Sequence, residues 1–345
     1  CVQRNEKSTD LKYTKNIYLI SSGRFKNIRA AEACSIGWKI MSFIRFTILL
    51  FKTIKTNKPK WLILYDPFPL FAYSIIRFAL FNKPKVWYHN HDVIDPKSIR
   101  KFSIAHWAYL NEQKNINKVN IFSLPTKERK SFFKINENKI KYFDLPNYPS
   151  LKRFDKIRTS DQLIEPLKLI YQGHVGKGHG LIEIINFISN HKLNIIFNII
   201  GTGDDNYIQM LKKMIVNLNL AEKVKVHDFL PYDKLLDFSR NNHVGLAIHQ
   251  PVNLAFRTAA TASNKIYEYI ALGMPVILFD DNNYKKSLEK FTWAKFTNLS
   301  ESNINQVLVD IIENYNLYST QAQKDFNKSL NFEHHFIHLL NELTK

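Results

Sequence analysis

Residues 263–278 read Ser-Asn-Lys-Ile-Tyr-Glu-Tyr-Ile-Ala-Leu-Gly-Met-Pro-Val-Ile-Leu, and this stretch decides the fold. Ser263 is a residue type that commonly caps the start of a helix, and Gly273 suits the left-handed position that ends one. Pro275 prevents the helix from continuing into the apolar residues that follow. The pattern therefore predicts a short helix that leads directly into a buried strand.

The predicted helix carries groups that suit a nucleotide. Backbone N–H groups at its start, beside Ser263 and Asn264, attract an anionic phosphate. Glu268 lies about one turn further along, where its carboxylate can accept hydrogen bonds from a ribose diol. The alternative interpretation is an ordinary Lys265–Glu268 pair on the face of a helix that covers a sheet.

The run from Asn264 to Ile277 resembles the donor-site signature of GT-B glycosyltransferases, in particular of family 4, which uses nucleotide-activated sugars. In that family a glutamate five residues before the glycine holds the nucleotide ribose, and Glu268 stands at this position. A further glutamate commonly lies eight residues earlier, where this chain has Ala260. The donor sugar and the retaining or inverting outcome therefore stay open.

The resemblance implies an α/β protein of two Rossmann-like domains whose parallel sheets face each other across a cleft. Alternating strand and helix patterns in both halves of the 345 residues agree with this expectation. We expect an acceptor-side domain over residues 1–150, an irregular linker over 151–165 and a nucleotide-sugar donor domain over 166–327. In the resembling fold a last helix crosses back, so residues 328–345 are expected to complete the first domain.

A glycine-rich loop over residues 173–180, Gly-His-Val-Gly-Lys-Gly-His-Gly, separates a predicted strand from an amphipathic helix. Gly173 and its neighbours let backbone N–H groups approach a phosphate, and Lys177 adds positive charge. The loop matches neither a P-loop nor a dinucleotide fingerprint, and a flexible turn without a ligand is the alternative. The family grips the donor diphosphate here with an arginine and a lysine. His174 stands at the arginine position, and the lysine role could fall to Lys177 or be weakened at His179.

Three further turns supply candidate nucleotide contacts. Gly201 and Gly203 match the Gly-x-Gly turn of the family. Phe229 and Leu230 precede a predicted helix in a loop that packs on the nucleotide base in the family, although a purely structural turn fits equally well. Gly23 follows a strand predicted over residues 16–21, where either a phosphate-facing turn or an ordinary strand-to-helix turn is consistent.

The first half contains His89-Asn90-His91-Asp92 directly after a predicted strand, where open parallel sheets place binding residues. No further cluster with ligand spacing accompanies these residues, so we expect no metal site. The segment resembles the strand-end His-Asp of family 4, whose histidine contacts the transferred sugar. The resemblance assigns the reaction centre to His91 with Asp92 beside it, and leaves His89 a structural role.

The net charge of +19 is concentrated in residues 1–150, which hold 27 lysines and arginines against 10 acidic residues. This asymmetry indicates an anionic partner, which could be nucleic acid, an acidic membrane surface or a phosphate-bearing acceptor. Residues 36–54 are apolar but interrupted by basic residues, too short for a membrane span. The segment is expected either to pack on the first sheet or to lie partly in a bilayer interface.

These features predict a glycosyltransferase that moves a sugar from a UDP- or GDP-sugar to a lipid-linked or surface-polysaccharide acceptor. We expect it in the cytoplasm, on the inner face of the membrane, with no permanently bound cofactor. The chain has no Asp-x-Asp pair, so the leaving diphosphate would be stabilised without metal by helix N-termini, Lys265, Lys177 and Arg257. The alternatives are a sugar-nucleotide epimerase on the same fold and a basic nucleic-acid-binding protein, which would lack a recognition motif.

Overall fold

Two groups of parallel strands organise the chain. The computed structural model describes residues 2–3, 20–21, 23, 33–154, 163 and 165–345. Their contacts divide the chain into a first unit, Cys1–Asp144, and a second unit, Leu145–Lys345. Of the strand predicted over residues 16–21, only Ile20–Ser21 is described, and most of the linker predicted over 151–165 lies outside the described residues.

The first unit contains a parallel sheet of four strands in the order β3-β4-β5-β6, and a separate parallel pair, β1 with β2. Among the described residues of this unit, three α-helices accompany them, together with short 3-10 turns at 77–79, 96–98, 116–118 and 127–132. The strands are β1 (Val2–Gln3), β2 (Ile20–Ser21), β3 (Trp61–Tyr65), β4 (Lys85–His89), β5 (Ile121–Leu124) and β6 (Lys141–Asp144). The helices are α1 (Ile36–Asn57), α2 (Pro67–Ile76) and α3 (Ile104–Asn115).

Helix α1 buries one face in the first core. Its buried side chains recur every three or four residues, as the 3.6-residue period of an α-helix requires. Phe43, Phe46, Leu50 and Ile54 form this stripe. The part of α1 that packs on the core therefore follows the core-packing alternative, and no helix described by the structure is both long and apolar enough to span a bilayer.

The second unit contains a parallel sheet of six strands in the order β12-β11-β10-β7-β8-β9. Its strands are β7 (Leu167–Gln172), β8 (Ile195–Ile200), β9 (Val224–His227), β10 (Val244–Ala247), β11 (Val276–Phe279) and β12 (Ala294–Thr297). Its helices are α4 (Leu151–Phe154), α5 (Leu181–Asn190), α6 (Asp205–Asn217), α7 (Tyr232–Ser239), α8 (Leu254–Arg257), α9 (Asn264–Ala271), α10 (Asn282–Leu288), α11 (Glu301–Glu313), α12 (Tyr315–Lys328) and α13 (Phe332–Leu343).

The order of strands in the second sheet has a switch point between β7 and β10. From β7 it proceeds to β8 and β9 on one side, and then returns to place β10, β11 and β12 on the other. After β7 and after β10 the chain therefore continues toward opposite edges of the sheet. Open α/β sheets bind ligands outside the carboxyl ends of the strands at such a switch point.

The stretch that decides the fold has the predicted structure. Helix α9 runs from Asn264 to Ala271, Gly273 has a φ of +74°, and β11 begins at Val276. The predicted α/β class with two parallel-sheet domains is confirmed.

The last helix, α13, begins against the start of the second unit. Phe332 N donates to Pro149 O at 3.1 Å, and the Glu333 carboxylate accepts from Leu151 N at 2.9 Å and from the Ser150 hydroxyl. These contacts attach the helix to residues 149–151. That residues 328–345 complete the first domain stays a prediction.

Candidate functional site

Two loops at the carboxyl edge of the second sheet are joined through their backbones. The loop after β7 donates from Gly173 N to Ile200 O at 2.9 Å and from Val175 N to Thr202 O at 3.0 Å. Asp204 N returns a hydrogen bond to Val175 O at 3.0 Å. The predicted phosphate loop and the predicted Gly-x-Gly turn therefore form one backbone platform.

Gly201 and Gly203 are required by this close approach. A Cβ on Gly201 would lie 1.8 Å from Gly173 O, and one on Gly203 would lie 1.9 Å from Val175 O. Gly201 also has a φ of +147°, which side chains rarely adopt. Packing alone explains both glycines, and their contact with a nucleotide stays a prediction.

Lys265 projects from α9 beneath the glycine-rich loop. Its Nζ lies 4.3 Å from the ring centroid of Tyr171 and 3.3 Å from the Tyr171 hydroxyl. A Cβ on Gly173 would come within 3.3 Å of the same Nζ, so the glycine keeps the space above the ammonium group open. Burial lowers the pKa of Lys265 to about 7, and the nearby Glu268 opposes this effect. A phosphate bound here would favour the charged form of Lys265.

Glu268 is buried one turn into α9, where two side chains orient its carboxylate. Gln172 Nε2 donates to Oε2 at 2.5 Å, and the Tyr232 hydroxyl donates to Oε1 at 2.7 Å. Ser239 Oγ donates to Gln172 Oε1 at 3.0 Å and so fixes the amide. Each carboxylate oxygen can accept more than one hydrogen bond, so both can still bind a donor from a ligand.

The charge of Glu268 reflects opposing effects. Burial raises the pKa of Glu268, whereas the hydrogen bond from Tyr232, the charge of Lys265 and the hydrogen bond from Gln172 lower it. The Arg153 guanidinium also lowers the pKa of Glu268 and lies 4.5 Å from the Tyr232 ring centroid. The pKa of Glu268 is raised overall, and the hydrogen bonds and the neighbouring Lys265 and Arg153 limit that rise.

Sequence reasoning missed Gln172, Tyr232 and Arg153. Gln172 is the last residue of β7 and directly precedes the glycine-rich loop, so its strand-end position was a usable signal. Tyr232 begins α7, and Arg153 lies in the short helix α4. Neither has a local motif, because only the folded sheet brings them to Glu268.

Two buried histidines lie beside the lysine. The ring centroids of His179 and His249 are 5.4 Å apart, and His179 Nδ1 lies 3.1 Å from Ile248 O. Burial, aided by the charge of Lys265, lowers the pKa of His179 to about 3 and that of His249 well below its usual range. Both rings are therefore neutral at physiological pH. His174 and Lys177, the predicted diphosphate ligands, instead have exposed side chains on the loop.

The start of α9 differs in one detail from the prediction. Ser263 is the N-cap residue, but its hydroxyl makes no capping hydrogen bond. Asn264, at the first helical position, is exposed. The N–H groups of the first turn are thus not engaged by the serine hydroxyl, and their binding to phosphate stays a prediction.

Three further residues were predicted to contact the nucleotide, namely Phe229, Leu230 and Gly23. Phe229 is 66% exposed, while Leu230 packs against the second core ahead of α7. An exposed phenylalanine is suited to stacking on a base, which stays a prediction. Gly23 belongs to the first unit, where its N–H donates to Ser21 Oγ at 2.9 Å.

The first unit fixes the backbone of His91 from both sides. Its N–H donates to Asp66 Oδ1 at 2.9 Å, and its carbonyl accepts from Arg129 Nη1 at 2.5 Å. The buried Arg129 also lies 3.7 Å from the exposed carboxylate of Asp92. The ring of His91 is only partly buried, so a fixed backbone presents an accessible imidazole.

His89 has the surroundings of a structural residue. It is buried, and its Nδ1 lies 2.8 Å from Ser123 Oγ, which also accepts from Trp87 Nε1 at 2.7 Å. Burial is the largest cause that lowers the pKa of His89 to about 4. Among the described residues, no group of three or more His, Cys, Asp or Glu side chains is arranged to hold a metal ion.

A buried carboxyl group lies behind this loop, and sequence reasoning missed it. Glu112 Oε1 accepts from Asn90 Nδ2 at 2.7 Å and from the Tyr88 hydroxyl. Burial raises the pKa of Glu112 to about 7, with a smaller contribution from Asp66 in the same direction. The group thereby anchors Asn90, the residue between the two histidines.

No family model matches the sequence. A comparison with curated proteins gives no match either. Solved structures do match, among them a glycosyltransferase from Rickettsia africae with a TM-score of 0.67 and 12% identity, covering 94% of this chain and 84% of that chain.

The Anabaena protein HepE in complex with UDP and glucose matches with a TM-score of 0.65 and 12% identity, covering 95% of this chain and 86% of its own. The lipopolysaccharide outer core galactosyltransferase WaaB matches with a TM-score of 0.63 and 12% identity, over 99% and 87%. At these identities the likeness concerns the fold. The chain has the GT-B fold of these glycosyltransferases, as expected, and membership of family 4 stays a prediction.

Proposed function

We propose that this chain is a glycosyltransferase that uses a nucleotide-sugar donor. The observation that carries the proposal is the buried Glu268 carboxylate, held by Gln172 and Tyr232 beside Lys265 at the switch point of the second sheet. Similar folds bind such donors, since HepE has been solved with UDP-glucose.

Glu268 would bind the ribose of the donor. An ionised, pre-oriented carboxylate in a buried position accepts hydrogen bonds from a diol without reorganising when the ligand arrives. The phenol of Tyr232 and the amide of Gln172 already fix its rotamer. Phe229 and Leu230 would meet the base.

Lys265 and the start of α9 would bind the diphosphate. The ammonium group lies under Gly173, and the helix start adds the partial positive charge of its dipole. His174 and Lys177 would approach from the exposed side of the loop. Charge that develops on the departing diphosphate would then be stabilised by fixed groups of the protein, which is the principal electrostatic demand of glycosyl transfer.

His91 is proposed as the reaction-centre residue of the first unit, with Asp92 as its neighbour. The two hydrogen bonds of its backbone, donated to Asp66 and accepted from Arg129, would fix the main chain from which the imidazole projects. No metal is required in this proposal, because the cations of the second unit supply the charge. The acceptor would be lipid-linked or a surface polysaccharide at the cytoplasmic face of the membrane.

Nucleotide binding tests the donor assignment. Titration calorimetry with UDP, GDP and the corresponding monophosphates should show one diphosphate that binds more tightly than its monophosphate. Binding should also take up protons near pH 8, because the ligand raises the pKa of Lys265 from about 7. This uptake appears as a dependence of the enthalpy on the buffer.

Lys265→Met should abolish the proton uptake, whereas Lys290→Met, at an exposed position, should retain it. The proposal fails if the wild-type protein binds neither UDP nor GDP. A donor screen read by mass spectrometry then tests transfer. His91→Ala should lose product while it keeps wild-type nucleotide affinity, and an unchanged rate would remove His91 from the reaction centre.

A further inference from the structure

Helix α1 is apolar on the face that points away from the core as well as on the face that packs. Ile36, Ile40, Ile44 and Ile48 recur every four residues and are 57%, 44%, 45% and 50% exposed. We call these four side chains the isoleucine face. Large apolar side chains that form a continuous exposed stripe on a helix are a feature of interaction surfaces. The exposed ridge therefore indicates a partner.

The apolar surface continues from α1 to α2. A groove between them is lined by Ile48, Phe51 and Ile75 together with Lys52 and Lys55. Lys55 Nζ lies 5.6 Å from the Phe51 ring centroid, so its stem covers apolar surface while its charge stays at the rim. This combination suits a molecule with an anionic head and an apolar body.

Two exposed phenylalanines follow α2 in the sequence. Phe78 is 82% exposed and Phe81 is fully exposed, in the turn that leads to β4. The Arg77 guanidinium lies 5.8 Å from the Phe78 ring centroid. Large aromatic side chains that are this exposed suit an interaction with an apolar partner.

The segment that carries this surface is strongly basic. Residues 33–85 contain nine lysines and arginines and one acidic residue, Asp66, a net charge of +8. Asp66 directly follows the last residue of β3, and its carboxylate accepts a hydrogen bond from the N–H of His91. A second copy of the chain would bring two such positive surfaces together, and the apolar ridge has no use in contact with a nucleic-acid backbone. An anionic bilayer complements both the charge and the apolar side chains.

We propose that the isoleucine face and the adjoining groove dock the first unit on a bilayer that contains anionic phospholipid. Helix α1 would lie in the plane of the interface with its isoleucines among the acyl chains, while Lys52 and Lys55 meet phosphate headgroups. This inference deepens the proposed function, since a membrane-docked chain would meet a lipid-linked acceptor. The docking itself does not depend on the transfer chemistry.

Vesicle flotation of the full chain tests the proposal. The wild-type protein should float with phosphatidylcholine vesicles that contain phosphatidylglycerol, and about ten-fold less with phosphatidylcholine alone or at high salt. The double variant Ile40→Asp/Ile44→Asp should lose about ten-fold or more of the bound fraction. The matched control Val216→Asp/Val309→Asp changes exposed apolar residues of the second unit and should float like the wild type.

Charge-reversal variants separate the electrostatic contribution to vesicle binding from the apolar contribution of the isoleucine face. Lys52→Glu/Lys55→Glu should remove the preference for anionic vesicles, while Lys212→Glu/Lys213→Glu, on exposed positions of α6, should retain it. Equal flotation of the isoleucine double variant and the wild type would overturn the proposal. So would a wild-type protein that ignores vesicles, or one that forms a dimer which the isoleucine substitutions dissociate.

Nucleotide titration of the same preparations keeps the two proposals apart. The isoleucine and lysine variants should bind nucleotide like the wild type, which also shows that they are folded. If none of the proteins binds UDP or GDP, the proposed function fails while flotation still decides the docking surface. If all bind nucleotide and none floats, the docking surface fails alone.

Discussion

Each unit of this chain buries a glutamate whose carboxylate accepts hydrogen bonds from a tyrosine hydroxyl and a side-chain amide. Glu268 is 7% exposed and Glu112 is 3% exposed. The partners are Tyr232 and Gln172 for Glu268, and Tyr88 and Asn90 for Glu112. Burial raises the pKa of both carboxyl groups. By hydrogen bonding alone the two sites are equivalent.

Neighbouring charges make the two sites different. Lys265 and Arg153 lower the pKa of Glu268, whereas the negative charge of Asp66 adds to the effect of burial on Glu112, whose pKa reaches about 7. Glu268 is thus equipped to stay an acceptor for a ligand. Glu112 is equipped to hold a proton and anchor a loop. The charges around a buried carboxyl group, more than its immediate partners, decide what it can do.

The largest expected effect is on the stability of the first unit. Glu112→Ala would leave the buried Tyr88 hydroxyl without its acceptor, would leave the Asn90 amide with only Tyr88 Oη at 3.2 Å, and would open a cavity. We expect the free energy of unfolding in urea to fall by about 2–4 kcal/mol. Glu222→Ala, at an exposed position, serves as the control. A loss for Glu112→Ala no greater than the control would contradict an anchoring role.

The dependence of the free energy of unfolding on pH tests whether Glu112 holds a proton in the folded protein. The folded pKa of Glu112 is about 7, above the ordinary 4.5, so the folded protein retains a proton that the unfolded chain loses between these values. Its contribution to stability is fully present below pH 4.5 and is lost as the pH rises to 7.

Between pH 5 and 7 the wild type should therefore lose about 2–3 kcal/mol relative to Glu112→Gln. The histidines whose pKa values are lowered by burial make stability rise with pH, which is the opposite dependence. Both proteins contain these histidines, so their contribution cancels in the difference. Urea unfolding at several pH values measures the difference, and parallel curves for the two proteins would show that Glu112 does not titrate in this window.

The smallest effects come from the two tyrosines. Tyr232→Phe removes one hydrogen bond to Glu268, and we expect about five-fold weaker nucleotide binding, corresponding to about 1 kcal/mol. Tyr88→Phe should leave nucleotide affinity unchanged and lower the free energy of unfolding by about 1 kcal/mol. Calorimetry measures the nucleotide affinity of both variants, and urea unfolding measures their free energy of unfolding. If both variants weakened nucleotide binding equally, the proposed division of roles would be wrong.

The local parts of the fold were predictable from sequence. Gly273 and Pro275 end α9 and precede β11 because a left-handed glycine and a proline act within a few residues. The contacts of Glu268 were not predictable in this way. Gln172 and Tyr232 are 96 and 36 residues away in the sequence and meet the carboxylate only in the folded second unit, where β7, which ends at Gln172, lies beside β10.

The same distinction holds in the first unit. His91 was predicted from its position after a strand, whereas the clamp by Asp66 and Arg129 depends on residues 25 and 38 positions away. Ser263 shows the limit of a local rule, since it occupies the N-cap position without a capping hydrogen bond from its hydroxyl. Sequence spacing located the strand ends, and tertiary packing determined which side chains meet there.

Calorimetric titration of UDP and GDP into Glu268→Gln and Glu112→Gln tests the contrast between the two glutamates most directly. The amide keeps the size of each side chain and removes its negative charge. We expect the nucleotide affinity of Glu268→Gln to fall by about ten- to hundred-fold, because a charge-assisted hydrogen bond to the ribose is lost. The affinity of Glu112→Gln should match the wild type. Wild-type affinity in Glu268→Gln, or an equal loss in both variants, would contradict the assignment of Glu268 to the donor nucleotide.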